Sequence, residues 1–370
     1  MKKLGFGFMR LPVINKDDYS RIDLKETEKM VDYFIGHGFT YFDTALMYHA
    51  GKSEEAIKTA VVDRYPREKF TVATKMHSEY FNTKEDLERV FLGQLKKTGA
   101  EYFDYYLLHD VGTSSLPKFT KCDGFNFLRK KKQEGLVKNI GFSFHDKAAL
   151  LEKVLDENPD MDFVQLQINY LDWDSSAIES RKCYEAATKR NVPVTVMEPV
   201  KGGTLQNLDP GVSKLFNGFS GSYASYALRF AAELSNVKVV LSGMSNFEQL
   251  KDNVDLFENI KPLTDAEHEL LNNVVKAINS TNNIKCTGCG YCLEGCPKNI
   301  AIPKYFSLYN ADLIEDKNKG WTPQGEYYER LLNDHGAAGD CIACGACESI
   351  CPQHLHIIDH LKTVKDYFGK

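Results

Sequence analysis

Eight short apolar runs recur along roughly the first two thirds of the chain, separated by longer stretches of mixed polarity. Each run is almost continuously apolar and lacks clean alternation, which is typical of strands in a parallel sheet covered by helices. The runs lie at residues 4–9, 39–45, 70–76, 102–109, 139–144, 163–169, 192–199 and 237–243. This pattern predicts eight parallel strands.

The stretches between these runs have the features of helices. Asp23 with Glu26 three residues later resembles a capping box, and Thr83 with Asp86 opens another helix in the same way. Apolar stripes follow both caps and are expected to face the core: Leu24, Met30, Val31, Phe34 and Ile35, then Leu87, Val90, Phe91 and Leu95. Strand and helix alternating eight times over about 260 residues predict an α/β fold, a (β/α)8 TIM barrel, with a doubly wound open sheet as the alternative. Residues 264–279 are predicted as a last helix.

Composition and charge narrow the classes of partner. The chain has 370 residues, of which 43% are hydrophobic and 26% charged, and its formal net charge is −5. No long block of like charges suggests a nucleic-acid partner. Glycines and Arg10 interrupt the N-terminal apolar stretch, which fails as a signal peptide, and no run of about 18 apolar residues suggests a membrane span. We expect a cytoplasmic protein without nucleic-acid or membrane partners.

Cysteine is distributed very unevenly. Eight of the ten cysteines lie between Cys286 and Cys351, and only Cys122 and Cys183 precede them. A barrel needs roughly 250 residues, so the chain has room for a second domain. We predict a barrel domain over residues 1–280 and a separate cysteine-rich domain over residues 281–370. Cys122 and Cys183 are expected to be buried small hydrophobic residues, with a reactive thiol as the alternative.

Four polar residues occupy the ends of successive predicted strands, where a TIM barrel places its chemistry. Asp43 ends the second strand, Tyr48 follows five residues later, Lys75 ends the third strand and His109 ends the fourth. One such residue alone more often forms a local ion pair or hydrogen bond than an active site. The four together form a candidate catalytic group.

The segments that carry these residues, FDTALMYHAGKSEE, VATK and LLHD, resemble the catalytic segments of the aldo-keto reductase family, in the family's order. The resemblance covers roughly residues 1–280. It implies reduction of a small-molecule carbonyl compound by NADPH or NADH, with Tyr48 as the proton donor. We expect Lys75, held by Asp43, to lower the pKa of Tyr48, and His109 to orient the carbonyl oxygen.

The same resemblance implies where the nicotinamide cofactor binds. The segments GFSFHD, FVQLQIN, MEPVKGG and SGMSNFEQLKDN correspond to its contacts, with Lys201 as a positive charge near the pyrophosphate. The implied residues are Ser143, Gln165, Asn169, Met197, Pro199, Lys201, Gly202, Ser242, Gly243, Met244, Gln249 and Asn253. Gly243 and Gln249 stand where the family commonly grips the 2′-phosphate of NADP with Lys and Arg, so NADP and NAD both stay open. A plain strand-to-helix turn is the alternative for PVKGG.

Two cysteine runs, Cys286–Cys296 and Cys341–Cys351, follow the pattern C-x2-C-x2-C-x3-C-P of [4Fe-4S] ligation. Zinc sites normally lack the third close cysteine and the proline, and a disulfide framework does not suit a chain without a secretion signal. In proteins with this pattern the fourth thiol of each run crosses to the other cluster. The two expected sets are Cys286, Cys289, Cys292 and Cys351, and Cys341, Cys344, Cys347 and Cys296.

The cysteine-rich domain resembles the mainly α-helical ferredoxin-like domains attached to redox enzymes. The connection between the two runs is longer than in a compact ferredoxin, and it carries four apolar residues at helical spacing that we expect in the core: Tyr327, Tyr328, Leu331 and Leu332. The whole chain thus resembles a bacterial-type branch of the aldo-keto reductase family with a C-terminal dicluster [4Fe-4S] domain.

Three functions are compatible with this organisation. The first is NAD(P)H-dependent carbonyl reduction with iron-sulfur clusters for electron transfer. The second is an electron-transfer module, in which the barrel binds a flavin or a substrate and the clusters link it to a redox partner protein. A nicotinamide transfers two electrons together as hydride, whereas each cluster passes one electron at a time. A flavin is therefore considered as the intermediary between them. The third is an inert barrel that senses an oxidised nucleotide, which the intact group of four disfavours.

Overall fold

The eight apolar runs form the strands of one closed parallel barrel in a computed structural model of the protein. The structure describes residues 2–15, 18–113, 115–175, 178–280, 284–286, 288, 290–313, 322–351 and 355–369. The strands are β1 (Leu4–Gly7), β2 (Tyr41–Asp43), β3 (Thr71–His77), β4 (Phe103–Val111), β5 (Val137–Phe144), β6 (Phe163–Gln167), β7 (Val194–Met197) and β8 (Val237–Gly243). They pair in chain order, and β1 closes the barrel against β8. The predicted TIM barrel is confirmed, and the open sheet is excluded.

Helices lie between successive strands and after β8. They are α1 (Leu24–Gly36), α2 (Tyr48–Gly51), α3 (Ser53–Ile57), α4 (Lys84–Thr98), α5 (Leu116–Lys121), α6 (Gly124–Gln133), α7 (Ala148–Glu157), α8 (Ser180–Lys189), α9 (Pro210–Ser213), α10 (Tyr223–Glu233), α11 (Phe247–Glu258) and α12 (Asp265–Ser280). Thr83 and Asp86 form a complete capping box before α4, and the Asp23 side chain accepts the amide N–H of Glu26 before α1. Both predicted caps are therefore present.

Most residues of the predicted stripes are buried, Ile35 and Leu95 are half-buried against the core, and Leu24 is exposed. Met30, Val31 and Phe34 of α1 are fully buried, but Leu24 is 38% exposed. The prediction for Leu24 was wrong because it is the first residue of α1, where the helix has only begun to approach the barrel. Cys122 and Cys183 are buried as predicted, and burial raises the pKa of the Cys183 thiol to about 12.

The C-terminal part is helical and has its own small core. Its helices are α13 (Tyr291–Glu294), α14 (Ile302–Asp312), α15 (Pro323–Leu331), α16 (Ala346–Ser349) and α17 (Ile357–Phe368). Tyr305, Phe306 and Tyr328 are fully buried in this core, and Leu331 and Leu332 pack against it. Tyr327 is 37% exposed, so its predicted place in the core was wrong. Its neighbour Tyr328 takes the inward face of α15, and two consecutive residues of a helix cannot share one face.

The chain separates into two compact units. The first comprises most of residues 1–267, and the second comprises His268–Lys370 together with Gln206–Ser220 from the β7–α10 connection. The boundary predicted after residue 280 stays a prediction. Among the residues that the structure describes, no helix is both long enough and apolar enough to cross a membrane.

Candidate active site

The four residues of the candidate catalytic group meet at the carboxyl-terminal end of the barrel. Asp43 is the last residue of β2, Lys75 lies within β3, His109 lies near the end of β4, and Tyr48 begins α2 just beyond β2. Parallel neighbouring strands end at the same side of a barrel, so residues far apart in sequence come together there. The structure thus brings together all four side chains that the sequence singled out.

Lys75 is the centre of this group. Its side chain is completely buried, and its ammonium donates to Asp43 Oδ1 at 2.6 Å and to the carbonyl oxygen of Thr44 at 2.8 Å. Its third neighbour is the Tyr48 hydroxyl at 3.4 Å. The ammonium therefore lies between a carboxylate and a phenol in a site from which water is largely removed.

The pKa of Tyr48 moves in the opposite direction from the one expected. Burial raises the pKa of Tyr48 well above its usual value, and the negative charges of Asp43 and Glu198 raise it further, while Arg10 opposes them. The nearby Lys75 ammonium, which is paired with Asp43, does not offset this effect of burial and negative charge. Burial likewise lowers the pKa of Lys75 and raises the pKa of Asp43, each opposed by the partner's charge. Tyr48 is accordingly a protonated phenol at neutral pH.

His109 packs edge-on against Tyr48, with 5.8 Å between the ring centroids. Burial lowers the pKa of His109 well below its usual value, and the charge of Lys75 lowers it further, so the imidazole is neutral at pH 7. Its Nδ1 atom is buried and has no hydrogen-bond partner within the described part of the chain. A neutral ring with an unused polar atom is equipped to hydrogen-bond a ligand.

Several residues that border the group were not found from the sequence. Arg10, just after β1, faces Glu198 after β7, with 3.9 Å between Nη2 and Oε1. Tyr19 stacks on His49 at 4.0 Å between ring centroids, and His49 Nε2 accepts the amide N–H of Leu11. These contacts fix the β1–α1 connection beside Tyr48. His49 and Ala50 both have a left-handed backbone, and a sequence does not display backbone angles.

His77 and Asp110 form a second unexpected pair. His77 ends β3 and packs edge-on against His109 at 5.4 Å between ring centroids. Its Nε2 lies 3.9 Å from Oδ2 of Asp110, the residue after His109. The motif LLHD contains Asp110 directly after His109. Neighbouring residues of a regular strand point to opposite faces, so the sequence alone does not predict that both side chains approach His77.

Ser143 and Gln165, which are predicted to contact a nicotinamide, lie on β5 and β6. Ser143 is fully buried, and its hydroxyl oxygen accepts the amide N–H of Asp110 at 2.8 Å. The side chain of Gln165 contacts Met197 on the adjoining strand, with 3.5 Å between Nε2 and Sδ. The Gln165 Oε1 atom is buried and unpaired among the described residues. An amide group of a ligand would satisfy it.

The predicted pyrophosphate segment has a different electrostatic character from the one expected. The ammonium of Lys201 is bound by Asp172 at 2.8 and 2.9 Å, and both side chains are about 7% exposed. The same carboxylate accepts a hydrogen bond from Asn169, which also donates to the carbonyl oxygen of Glu198. Asp172, from the β6 loop, therefore pairs with Lys201 in this structure, and a contact of Lys201 with the pyrophosphate stays a prediction.

The backbone of this segment is unusual. Glu198 and Lys201 are non-glycine residues with left-handed φ angles of 55° and 47°, and Gly202 follows with 64°. Pro199 between them is buried. Left-handed non-glycine residues cost free energy and persist where the surroundings hold them, as the Asp172 ion pair does here.

The residues predicted after β8 also surround one end of the barrel. Ser242 accepts a hydrogen bond from Asn253 Nδ2 at 2.9 Å, and Met244 is fully buried. Gly243 is exposed, and a side chain there would meet Arg10, whose Cβ lies 3.1 Å from the position of an added Cβ. Gln249 is exposed and accepts the amide N–H of Ser245.

The two cysteine runs share one backbone plan. The residue before the second cysteine is left-handed in both runs, with φ of 69° at Gly288 and 55° at Ala343, and so is the glycine after that cysteine, Gly290 or Gly345. Helices α14 and α17 each begin six residues after the last cysteine of their run. Cys289 lies outside the described residues. The repeated geometry matches the repeated sequence.

One cavity of about 320 Å³, part of it open to solvent, lies in this domain. Four cysteines line it: Cys296 from the first run, and Cys341, Cys344 and Cys347 from the second. The amide N–H of Ile300 also points to Cys296 Sγ at 3.5 Å. Among the described residues, no three Cys, His or acidic side chains are grouped to hold a single metal ion. Four thiols around one cavity suit a cluster of several iron atoms.

Comparison with known proteins agrees with this architecture. The sequence profile of the aldo/keto reductase family matches residues 3–276, and that of the 4Fe-4S dicluster domain matches residues 285–356. A Glycine max protein named as an aldo-keto reductase is 33% identical over 151 residues, which cover 39% of the chain and 41% of the relative. Norsolorinic acid reductase B of Dothistroma septosporum is 28% identical over 30% of the chain and 32% of its own length. The chain thus spans less than half the length of these two relatives.

Solved structures show the same fold. An aldo-keto reductase from Bacillus halodurans, in its holo form, superimposes with a TM-score of 0.60 at 22% identity, covering 74% of the chain and 91% of that structure. An aldo-keto reductase from Klebsiella pneumoniae, in complex with NADPH, gives a TM-score of 0.59 at 19% identity, covering 74% and 90%. At this level of identity the likeness is one of fold.

Proposed function

Because the chain belongs to the aldo/keto reductase family, we propose that it reduces a small-molecule carbonyl compound with NADPH or NADH. One observation carries the proposal. The buried ammonium of Lys75 contacts both the Asp43 carboxylate, at 2.6 Å, and the Tyr48 hydroxyl, at 3.4 Å, at the catalytic end of the barrel. This arrangement provides a proton donor with a cation beside it.

A bound nicotinamide would supply the hydride for this reaction. Tyr48 then donates its phenolic proton to the carbonyl oxygen as that oxygen gains negative charge. The raised pKa of Tyr48 keeps the proton in place until the oxygen has become the stronger base. Lys75 lies close enough to stabilise the phenolate left behind, and Asp43 keeps Lys75 charged within a buried site.

His109 positions the carbonyl group in this proposal. Its neutral ring can donate a hydrogen bond without placing a second buried cation beside Lys75. A donor aimed at developing negative charge is worth most where water is excluded. The His109 and Tyr48 rings lie 5.8 Å apart between centroids, close enough for both groups to hydrogen-bond one oxygen atom in this proposal.

The proposed cofactor contacts are those predicted from the sequence, and Gln165 offers the best fit to a nicotinamide. Its buried, unpaired Oε1 would accept a hydrogen bond from a carboxamide N–H. Gly243 and Gln249 provide no positive charge for a 2′-phosphate, although the side chain of Arg10 packs beside Gly243. NADPH and NADH should therefore be compared directly.

The test is the anaerobic reduction of simple aldehydes by the full-length protein with each nicotinamide. Tyr48→Phe removes the proton donor and should lower kcat by about 100-fold to 10,000-fold, the range for general acid catalysis. Tyr65→Phe is the matched control, because its hydroxyl bonds to Asp32 on the outer face of the barrel. Equal activity of the Tyr48→Phe variant and the unchanged protein would remove Tyr48 from the mechanism.

We also propose that the second domain holds two [4Fe-4S] clusters. Cys341, Cys344, Cys347 and Cys296 would bind one, and the cavity they share supports this set. Cys286, Cys289, Cys292 and Cys351 would bind the other. Reconstituted protein should then contain about eight iron atoms, and Cys344→Ser should lose about four of them while the other four remain.

The clusters would pass single electrons between the barrel and a partner protein. An anaerobic titration with NADPH, and separately with NADH, tests this role by following the cluster absorbance and the nicotinamide band together, with and without flavin. Bleaching of the clusters would favour electron transfer. Nicotinamide binding with unchanged clusters would favour a self-contained reductase, and bleaching only after flavin is added would identify a flavin as the intermediary.

A further inference from the structure

The chain leaves regular strand geometry at Asp110, immediately after His109. The register between β4 and β5 shifts between Leu108 and Val111, and Asp110 adopts a left-handed φ of 59°. Bulges of this kind redirect a side chain and occur beside active sites. In a regular strand consecutive side chains point to opposite faces, so the bulge explains how Asp110 and His109 can both approach His77.

Hydrogen bonds on both sides hold this bulge in place. The Asp110 amide N–H donates to the Ser143 hydroxyl at 2.8 Å, and the Asp110 carbonyl oxygen accepts from the Ser115 hydroxyl. Asp146 of the next loop accepts from both the amide and the hydroxyl of Thr113. The backbone of Asp110, from which its carboxylate projects, is therefore held by two neighbouring strands and their loops.

The carboxylate itself is not saturated with donors. His77 Nδ1 accepts the amide N–H of Glu79 at 3.3 Å, so Nε2, which faces Asp110, carries a hydrogen. The distance of 3.9 Å from Nε2 to Oδ2 is too long for a direct hydrogen bond. The side chain is 29% exposed, so a ligand can reach it.

Asp110 differs in this respect from the other carboxylates around the site. Asp43 pairs with Lys75, Asp172 pairs with Lys201, and Glu198 faces Arg10. Within the described ranges, no Lys or Arg forms an ion pair with Asp110, and the side chains that act on its carboxylate are the imidazoles of His77, His109 and His145. A carboxylate that is fixed beside the carbonyl-binding His109 and lacks a cation is suited to accept hydrogen bonds from a substrate.

We propose that Asp110 determines substrate specificity by accepting a hydrogen bond from a hydroxyl group on the carbon next to the carbonyl. The preferred substrates are then hydroxy-aldehydes or hydroxy-ketones, and carbonyl compounds with a carboxylate at that position are repelled. This inference rests on the proposed carbonyl reduction, and it adds the chemical class of the substrate.

Three two-carbon aldehydes provide the test, because they differ only in the group beside the carbonyl: acetaldehyde, glycolaldehyde and glyoxylate. Rates are measured anaerobically on the full-length protein and referred to the unhydrated aldehyde. The unchanged protein should show the highest kcat/KM with glycolaldehyde and the lowest with glyoxylate. Acetaldehyde reports on the reduction itself, because it offers neither a hydroxyl nor a charge to Asp110.

Asp110→Asn removes the charge with little change in size, and asparagine tolerates the left-handed backbone. It should lower kcat/KM for glycolaldehyde by about tenfold to hundredfold, the value of a hydrogen bond to a charged group. Acetaldehyde should change by less than about twofold, and glyoxylate should gain about fivefold as repulsion is relieved. Asp123→Asn is the matched control, because Asp123 is also left-handed, with φ of 63°, and lies at the start of α6.

The results separate the two proposals. Equal losses for glycolaldehyde and acetaldehyde in Asp110→Asn, or no preference for glycolaldehyde in the unchanged protein, would overturn the role of Asp110 and leave carbonyl reduction standing. Absence of acetaldehyde reduction with either nicotinamide would overturn carbonyl reduction, and this inference with it. The preference of the unchanged protein decides the matter even where the Asp110→Asn variant folds poorly.

Discussion

Replacing Lys75 with methionine separates the electrostatic role of this lysine from its packing. Methionine has a similar length and no charge, so it fills much of the same buried space. It removes the ammonium from which Asp43 Oδ1 accepts a hydrogen bond at 2.6 Å. The other carboxylate oxygen, Oδ2, is already buried without a partner among the described residues. An ion left unpaired in a protein interior costs about 3–5 kcal/mol. The free energy of unfolding should fall by about that amount wherever Asp43 stays charged.

The cost depends on pH because Asp43 can take up a proton instead. Burial already raises the pKa of Asp43, and without Lys75 nothing equivalent opposes it. The folded variant then holds a proton that the unfolded chain loses above about pH 4. Since the folded state binds more protons, the free energy of unfolding falls as pH rises, by up to about 1.4 kcal/mol per pH unit, and levels off above the folded pKa.

The assay is denaturant unfolding at pH 5 and pH 8, followed by the fluorescence of Trp173 in the barrel. The other tryptophan, Trp321, lies outside the described residues and is replaced by phenylalanine in all samples. Lys75→Met should be close to the unchanged protein at pH 5 and far less stable at pH 8. The double variant with Asp43→Asn should lose this difference. An equal penalty at both pH values would refute the argument that Asp43 is the unpaired charge.

Three further measurements test other parts of the structure. Asp172→Asn leaves Lys201 buried without its counter-ion and should lower the free energy of unfolding by about 3–5 kcal/mol, measured as for Lys75→Met; a change below about 1 kcal/mol would contradict this. Gly141→Ala should abolish folding, because its Cβ would lie 2.3 Å from a carbonyl oxygen of β6, whereas Gly93→Ala in α4 meets no atom within 4 Å and should raise the melting temperature. Cys183, with its pKa raised to about 12, should resist iodoacetamide at pH 8 until the protein unfolds, and rapid labelling of the folded protein, detected by mass spectrometry, would show the thiol to be accessible.

The fold could be predicted because the features that determine it, apolar runs and helix caps, are local in the sequence. Each buried strand needs a short apolar run, and a helix cap marks where a helix begins, as Thr83 and Asp86 do for α4. The bounds were less predictable. The run at 39–45 produced only Tyr41–Asp43 as a strand, because pairing with both neighbours limits its length. Leu24 fits the apolar stripe of α1 yet is exposed, since a stripe does not say where the helix first meets the barrel.

The sequence predicted the positions of site residues only where those positions depend on the strand ends alone. That condition brought Asp43, Lys75 and His109 together. It could not supply the partner of Lys201, since Asp172 comes from another loop, and it could not reveal Asp110, whose direction depends on a bulge. The pKa of Tyr48 was missed for a similar reason: it depends on the sum of burial and surrounding charges, which one neighbouring lysine does not represent.

The cavity lined by Cys296, Cys341, Cys344 and Cys347 has a consequence for the order of events during synthesis of the chain. Its lining includes thiols from both runs, so this site does not exist until the second run has been translated. The 51 residues from Cys296 to Cys347 take roughly 3–10 s to translate at common ribosomal rates. During that interval the first run is a set of reduced thiols without its partners. A cluster bound by these four thiols, as proposed above, can be inserted only after the second run has been synthesised, and until then the first run has no cluster to protect its thiols from oxidation.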